Sequence, residues 1–140
     1  MGQYLAALLA HKACREGLSA VYVRGPRLFY GLALSRTDGT YAKWMNKLAK
    51  TNLLVIDYLG LSPMTETDRT NLFEVMEDHY GSGSTIVSSQ LPIEHWHENI
   101  GDPTIADVIL DRLFHNAYKI NLKGDSIRRK NSKVGSTEQL

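Results

Sequence analysis

The chain has 140 residues, of which 43% are apolar and 22% charged, and its formal net charge is +1. These values are typical of one soluble globular domain and exclude collagen-like, low-complexity and extensively disordered classes. The single cysteine, Cys14, excludes an internal disulfide framework and a zinc site built on cysteines. The apolar residues 1–10 have no basic segment before them and are too few to span a membrane, so we expect a cytoplasmic protein.

The spacing of apolar residues predicts helices and strands that alternate along the chain. Leu5, Leu8 and Leu9 have helical spacing, whereas residues 53–56 form a continuous apolar run typical of a strand buried on both faces. In chain order we predict a helix at 4–16, a strand at 20–23, helices starting at 26 and after a turn at 37–40, a strand at 53–56, a helix that Thr65 precedes as its N-cap, a strand at 85–88, helices at 92–99 and 103–116, and a strand at 118–122. This order predicts an α/β fold with a parallel sheet and right-handed crossovers.

The near-zero net charge is the sum of three blocks whose signs alternate along the chain. Residues 11–50 carry a balance of +6, residues 52–111 a balance of −10, and residues 112–133 again +6. Basic stretches can meet the phosphates of a nucleotide or a nucleic acid. The alternative is that the blocks neutralise one another across the folded chain.

Asp57 is the first candidate functional residue, because it follows the apolar strand at 53–56. Ligands of open parallel sheets bind at the carboxyl ends of the strands. A carboxylate in that position can hold Mg²⁺ directly or through water. The alternative is an aspartate that caps the following turn.

Polar residues also end the predicted strand at 85–88. Ser88, Ser89 or Gln90 could bond a phosphate or a water at the same edge of the sheet, or could form an ordinary turn. Further along, Arg112 lies on the predicted helix at 103–116. Its planar guanidinium could meet a phosphate, including one bound to a neighbouring subunit, or could form a surface ion pair.

The segment at 124–129 follows the last predicted strand. Ser126 could cap a short helix that displays Arg128 or Arg129. The alternative is a solvated basic tail.

Together these segments resemble the IstB-like family, the ATPase helpers of bacterial insertion-sequence transposition, which are related to DnaC-type helicase loaders. The resemblance covers nearly the whole chain, and its segments occur in the family's order. They are residues 11–17, 21–24, 26–28, 38–39, 53–60, 88–92, 95–97, 101–103, 111–113, 115–117 and 123–128. The resemblance implies a three-layer AAA+ P-loop fold that binds ATP and Mg²⁺ and that assembles on DNA.

Carried over by position, the resemblance assigns roles to particular residues. Asp57 would be the Walker B residue that holds Mg²⁺, and Ser88 or Ser89 would lie at sensor 1 near the γ-phosphate. Arg112 would match the arginine finger that reaches the neighbouring subunit's nucleotide. Arg128 would match the sensor 2 arginine and, like Asp57, would bind the nucleotide cofactor.

Two departures from the family pattern bear on activity. Family members carry Gly-x-x-x-x-Gly-Lys-Ser/Thr before the helix that matches residues 4–16, whereas here Gly2 and Gln3 stand where the Lys and the Ser/Thr belong. That loop cradles the phosphates with its backbone N–H groups. Tyr58 stands where the family usually has a second acidic residue that polarises the attacking water, and a tyrosine is a poor general base at neutral pH.

These departures lead us to expect an N-terminally truncated copy that is deficient in ATP hydrolysis. The expected organisation is a partial AAA+ domain at 1–130, which lacks the first strand and the P-loop, followed by a polar tail at 131–140. By the family's strand order, the missing strand separates the strand at 118–122 from the others. Its loss would leave three neighbouring strands and one strand, at 118–122, without a pairing partner.

The resemblance favours a transposition helper that acts with a transposase on DNA, as a homo-oligomer or together with a full-length helper ATPase, and without a membrane. One alternative is a DnaC-like helicase loader. Another is a non-catalytic interaction module that joins a full-length helper oligomer. A nucleic-acid-binding remnant, suggested by the two basic blocks, is a weaker alternative.

Overall fold

The computed structural model describes residues 2–115 and 117–120. Its helices and strands alternate, as the apolar pattern predicts. In chain order they are α1 (Gly2–Arg15), β1 (Ala20–Arg24), α2 (Gly25–Asp38), α3 (Tyr41–Lys50), β2 (Leu53–Asp57), α4 (Glu66–His79), β3 (Ser84–Val87), a 3₁₀ turn (Ile93–His95), α5 (Trp96–Ile100) and α6 (Pro103–Phe114).

The three strands form one parallel sheet in the order β1-β2-β3. The predicted strands at 20–23, 53–56 and 85–88 are therefore confirmed as neighbours. β2 is the central strand, and every one of its residues is buried. Its register pairs Val55 with Tyr22 on one side and with Ile86 on the other.

Alternation along β2 divides the core between the two faces of the sheet. Leu54 and Ile56 belong to the larger apolar cluster, which also contains residues of α2, α3, α4 and α6. Leu53 and Val55 point the other way, toward Ala6 and Ala10 of α1. The small alanine side chains let α1 approach the sheet closely, and the result is the expected three-layer arrangement.

Local signals in the sequence set several helix ends. Thr65 begins α4 with a reciprocal capping box, in which its hydroxyl accepts from the backbone N–H of Asp68 and the Asp68 carboxylate accepts from the backbone N–H of Thr65. Asp102 caps α6 by accepting from the N–H of Ile105 at 3.0 Å. Gly39 ends α2 with φ of 81°, which is the left-handed conformation that glycine adopts without steric cost.

The predicted strand at 118–122 is wrong where the structure describes it. Residues 117–120 have no regular secondary structure, and residues 121 and 122 lie outside the described residues. Tyr118 is 96% exposed. A strand needs a neighbouring strand for its backbone groups, and none of the three strands in the described sheet pairs with these residues.

The helix predicted at 92–99 is also shorter than expected. The 3₁₀ turn Ile93–His95 comes first, and α5 occupies only Trp96–Ile100. Pro92, in an extended conformation, precedes the turn and Gly101, with φ of 92°, follows α5, so the two residues limit the helical segment.

None of the described helices is both long enough and apolar enough to cross a membrane. α1 nonetheless exposes several apolar side chains on the face that points away from the sheet. They include Tyr4 and Leu8, which are 62% and 67% exposed.

Candidate functional site

The buried carboxylate of Asp57 lies where the carboxyl ends of the three strands meet. Asp57 is the last residue of β2 and is only 2% exposed. The parallel register places Arg24, the last residue of β1, beside it. Ser88 directly follows β3 on the other side, and its backbone N–H donates to the carbonyl of Ile56 at 2.9 Å. The sheet thus brings Asp57 and Ser88 together, as the sequence predicts.

Three donors from within the chain surround the Asp57 carboxylate. The hydroxyl of Tyr22 donates to Oδ2, and the hydroxyl of Ser88 donates to Oδ1. The backbone N–H of Tyr58 also donates to Oδ1, at 2.9 Å. Since each carboxylate oxygen has two lone pairs, Oδ1 is fully engaged and Oδ2 keeps one free position. These hydrogen bonds compensate a charge that would otherwise be costly to bury.

Ser88 and Ser89, which the sequence could not separate, have different surroundings. Successive side chains of an extended segment point to opposite sides, so only one of the two serines can face Asp57. Ser88 does so. The Ser89 hydroxyl instead donates to the carbonyl of Leu59 and accepts from the N–H of Leu91 at 3.0 Å. Ser89 therefore shapes the loop after β3, and Ser88 is the serine that contacts Asp57.

Tyr22 also belongs to this cluster, and it is a residue that the sequence pattern did not predict for the site. It shares a face with Arg24, and its side chain reaches diagonally across to Asp57. Partial burial, and then the hydrogen bond and charge of Asp57, raise the pKa of Tyr22 to about 12. The hydroxyl thus remains a donor at neutral pH. The sequence lacked a signal for this contact, because it depends on the register between two strands.

Tyr58 has an unusual backbone conformation at the end of β2. Its φ is 55°, in the left-handed region that a bulky side chain rarely adopts. The Arg24 guanidinium carbon lies 5.2 Å from the centre of the Tyr58 ring. At this position the chain has a partly exposed aromatic side chain associated with an arginine, where the resemblance implies a second carboxylate.

Arg112 lies on α6, and its contacts are with α4 and its C-cap. Its Nε donates to Glu77 Oε1 at 2.8 Å, and its guanidinium carbon lies 4.4 Å from the centre of the Tyr80 ring. The hydrogen bond to Glu77 raises the pKa of Arg112 above its ordinary value. The arginine is therefore held in one orientation within its own chain, with 32% of the side chain exposed. None of these contacts joins Arg112 to the Asp57 cluster.

Comparisons with known proteins identify the family of this chain. A family model described as IstB-like ATP binding protein matches residues 2–135. The chain belongs to this family.

Two curated relatives illustrate the range of similarity within the family. A putative insertion sequence ATP-binding protein of Sinorhizobium fredii is 54% identical over 126 residues, which are 90% of this chain and 51% of that protein. The putative ATP-binding protein of insertion sequence IS21 from Pseudomonas aeruginosa is 29% identical, over 91% of this chain and 48% of that protein. The chain thus spans about half the length of the curated relatives it matches.

Solved structures confirm the fold. AMPPCP-bound DnaA from Aquifex aeolicus aligns with a TM-score of 0.66 at 15% identity, over 76% of this chain and 34% of that one. The DnaC helicase loader aligns with a TM-score of 0.59 at 16% identity, over 71% of this chain and 61% of that one. At these identities the likeness shows an AAA+ P-loop fold and nothing more specific.

The residues around Asp57 fit a Mg²⁺ ion that is held through a water molecule. Direct coordination is disfavoured, since donors occupy three of the four lone-pair positions on the carboxylate. The remaining lone-pair position on Oδ2 can accept a hydrogen bond from a water molecule that is bound to Mg²⁺. In proteins Mg²⁺ commonly keeps such waters while phosphates also coordinate it. Among the described residues, no group of three or more His, Cys, Asp or Glu side chains could hold a metal ion.

Two other assignments from the sequence are not located at this site. Arg128, the predicted sensor 2 residue, lies outside the described residues, as does the rest of the segment at 124–129. The printed sequence contains no Gly-x-x-x-x-Gly-Lys-Ser/Thr segment. The described part of the candidate site therefore consists of Asp57 and Ser88, together with Tyr22.

Proposed function

We propose that this chain is part of an ATP-binding transposition helper of the IstB-like type, which acts with a transposase on DNA. The observation that carries the proposal is the contact between Asp57 and Ser88 at the carboxyl ends of adjacent parallel strands. In this arrangement Asp57 is the Walker B residue and Ser88 is sensor 1. When bound, Mg²⁺ would offset the negative charge of the nucleotide phosphates, and Asp57 would hold it through water.

We propose further that the chain, as printed, hydrolyses ATP negligibly by itself. Tyr58 occupies the position of the second acidic residue, and its backbone N–H serves to hold Asp57. The printed residues also have no glycine-rich loop to cradle the phosphates. The experiment is a steady-state ATPase assay with Mg²⁺. Turnover that Asp57→Ala abolishes would contradict this part of the proposal.

Nucleotide binding is tested separately from hydrolysis. Urea unfolding, followed by circular dichroism, is measured with and without millimolar Mg²⁺-ATP. A ligand that binds only the native chain at 100 times its Kd would raise the free energy of unfolding by about 2.7 kcal/mol. We expect a cooperative transition that ATP leaves unchanged. A transition that moves to higher urea would show that the chain binds ATP without a glycine-rich loop.

The chain would act through association with a full-length helper, and Arg112 carries this part of the proposal. Glu77 and Tyr80 hold the arginine on the surface of α6, so its planar fork can meet a phosphate of a neighbouring subunit's nucleotide. We expect co-purification with an intact helper that Arg112→Ala abolishes and Arg15→Ala does not. Lack of association at micromolar concentration would contradict it.

A DnaC-like helicase loader is the second candidate, because the DnaC structure is among those that the fold resembles. The two functions differ in the partner. A pull-down with the tagged chain against purified transposase and replicative helicase distinguishes them. We expect retention of the transposase, and exclusive retention of the helicase would establish the alternative.

A further inference from the structure

The described sheet has two outer strands, β1 and β3, and their outer edges differ in chemistry. β1 ends at the charged residue Arg24 and carries the large ring of Tyr22, whereas β3 contains neither a charged residue nor a proline. Sheets commonly protect an outer edge with charges, proline or a covering segment, because its free N–H and C=O groups can pair with another strand. The described part of the chain places no further strand beyond β3, so this edge is open to pairing.

The pairing of β3 with β2 determines which of its backbone groups face outward. The N–H groups of Ser84 and Ser88 donate to carbonyls of the β2 segment at 2.8 and 2.9 Å. Successive residues of a strand direct their backbone groups to opposite sides, so Ile86 also faces β2, and Thr85 and Val87 face away from it. The N–H and C=O groups of Thr85 and Val87 therefore form the outer edge.

The segment around β3 is uncharged and its apolar side chains are incompletely covered. Residues 80–93 contain no Asp, Glu, Lys or Arg, although 22% of the chain is charged. Two copies of this segment can thus approach each other without repulsion between like charges. Ile86 and Val87 are half-buried, whereas every residue of the central strand β2 is buried. A further strand beside β3 would remove more of their apolar surface from water and would be stabilised by that burial.

From these observations we infer that β3 pairs antiparallel with β3 of a second copy of this chain, about a two-fold axis beside Ile86. In this register Thr85 and Val87 of one copy exchange N–H···O=C hydrogen bonds with Val87 and Thr85 of the other. Ile86 lies opposite Ile86 of the second copy at a non-hydrogen-bonded position, where the two Cα atoms are about 4.5 Å apart. The two parallel sheets become one mixed sheet, which is a common arrangement.

A second copy is the occupant that fits this edge, because the edge is complementary to itself. A threonine and a valine flank Ile86, so a two-fold axis at Ile86 places Thr85 opposite Val87 on both sides of the axis. β-Branched residues that lie opposite each other form favourable cross-strand pairs. The two Ile86 side chains meet on the face of the sheet that α1 covers, since Ile86 is the register partner of Val55.

The first test measures the mass of the whole chain by sedimentation equilibrium across micromolar concentrations. We expect a reversible equilibrium between monomer and dimer. Ile86→Lys should raise the Kd of the dimer by at least about tenfold, because it places two like charges opposite each other at the edge. Ala20→Lys is the matched control, since Ala20 begins β1 on the same face but at the other edge of the sheet. It should leave the Kd unchanged, and circular dichroism checks that both variants are folded.

The register is tested by disulfide formation in a chain that carries Cys14→Ser. Ile86→Cys should give a disulfide-linked dimer on mild oxidation, because a non-hydrogen-bonded pair has the Cα separation that a disulfide needs. Ser84→Cys is the control. Ser84 is on the same face and more exposed, but in the proposed register it lies about 13 Å along the strands from its copy. It should therefore crosslink much more slowly, whereas random collision would favour the more exposed position.

Several results would overturn the inference. They are a monomer at every concentration, equal effects of Ile86→Lys and Ala20→Lys, a dimer that persists in Ile86→Lys, or equally fast crosslinking of the two cysteine variants. A persistent dimer would assign the association to another surface, such as the exposed apolar side chains of α1.

The pairing of β3 is independent of the proposed function, since it needs neither ATP nor a transposase. Arg112, which carries the proposed association with a helper, lies on α6 and contacts Glu77 and Tyr80. Arg112→Ala should therefore leave the dimer unchanged. A chain that is monomeric but still binds the helper would refute the edge pairing alone.

Discussion

Ser88 donates its hydroxyl to Asp57 Oδ1 from the segment that directly follows the neighbouring strand. The two residues are 31 positions apart in the sequence, and parallel pairing of β2 with β3 brings them together. Asp57 is buried at the centre of the sheet, so it depends on such donors for compensation of its charge. The contact that identifies the candidate site is therefore also a contribution to the stability of the fold.

Asp57 and Ser88 should be energetically coupled. We expect Ser88→Ala to lower the free energy of unfolding by about 1–2 kcal/mol, because it removes a hydrogen bond to a charged group. Asp57→Ala should lower it by ~2–3 kcal/mol, because it leaves the hydroxyls of Tyr22 and Ser88 without their acceptor. The double variant should lose about 1 kcal/mol less than the sum.

Urea unfolding of the four chains in this cycle provides the measurement. Ser84→Ala is the control, since Ser84 is exposed at the start of β3, the strand that Ser88 follows. Strict additivity of the two changes would show that Ser88 does not interact with Asp57 in solution.

Tyr22 should make stability fall at high pH. Its pKa is raised to about 12 in the folded chain, above the ordinary value of 10.0. The folded state therefore holds the proton more tightly than the unfolded state, and this contribution is complete below pH 10. It is lost as the pH rises from 10 to about 12, where the folded chain also releases the proton.

The measurement is the urea midpoint between pH 9 and 12, for the wild type and for Tyr22→Phe. The variant should show a smaller decline over this window, whereas Tyr30→Phe, at an exposed ring, should follow the wild type. Identical slopes for all three chains would contradict the hydrogen bond to Asp57. Absorbance of the tyrosinate form should show a late-titrating tyrosine that is missing from Tyr22→Phe.

Arg112 should contribute little to the stability of the isolated chain. Its ion pair with Glu77 is partly exposed, with 32% and 36% of the two side chains accessible, and water screens such pairs so that they contribute little to stability. We expect Arg112→Ala and Glu77→Gln each to leave the urea midpoint almost unchanged. A large drop in the midpoint would assign Arg112 a mainly structural role and remove the support for its action on a neighbouring subunit.

Gly83 should not tolerate a side chain. A Cβ there would lie 2.7 Å from the carbonyl oxygen of Thr51 and 2.8 Å from both the carbonyl oxygen of Asn52 and Nε2 of His79. Two of these three atoms belong to the backbone, which can move little because Asn52 also accepts the N–H of Ser84 at 2.8 Å. We expect Gly83→Ala to lower the free energy of unfolding by about 1–3 kcal/mol.

Gly81→Ala is the comparison in the same turn. A Cβ at Gly81 meets nothing within 4 Å, so only its φ of 81° opposes the change. Thermal unfolding of both variants should show the larger loss for Gly83→Ala. The reverse order would mean that backbone strain, and not the close approach of the Thr51 segment, limits this turn.

Residues 117–120 show where the pattern of the sequence misleads. The alternation of Tyr118, Lys119 and Ile120 is typical of a strand, yet these residues have no regular structure. Alternation of apolar and polar residues shows only that a segment, if it were a strand, would place its apolar side chains on one face of a sheet. Whether it forms a strand depends on a neighbouring backbone to complete the hydrogen bonds.

The sequence by itself determined the alternation of helices and strands, the burial of residues 53–56 and the position of Asp57 at a strand end, because each follows from spacing along a short segment. Only the tertiary structure decided that Ser88 and not Ser89 faces Asp57, that Tyr22 joins them, and that Arg112 contacts Glu77. These contacts depend on the register between strands and on how α6 packs against α4. Such relationships between distant segments have no periodic signal, so they arise only when the whole chain packs.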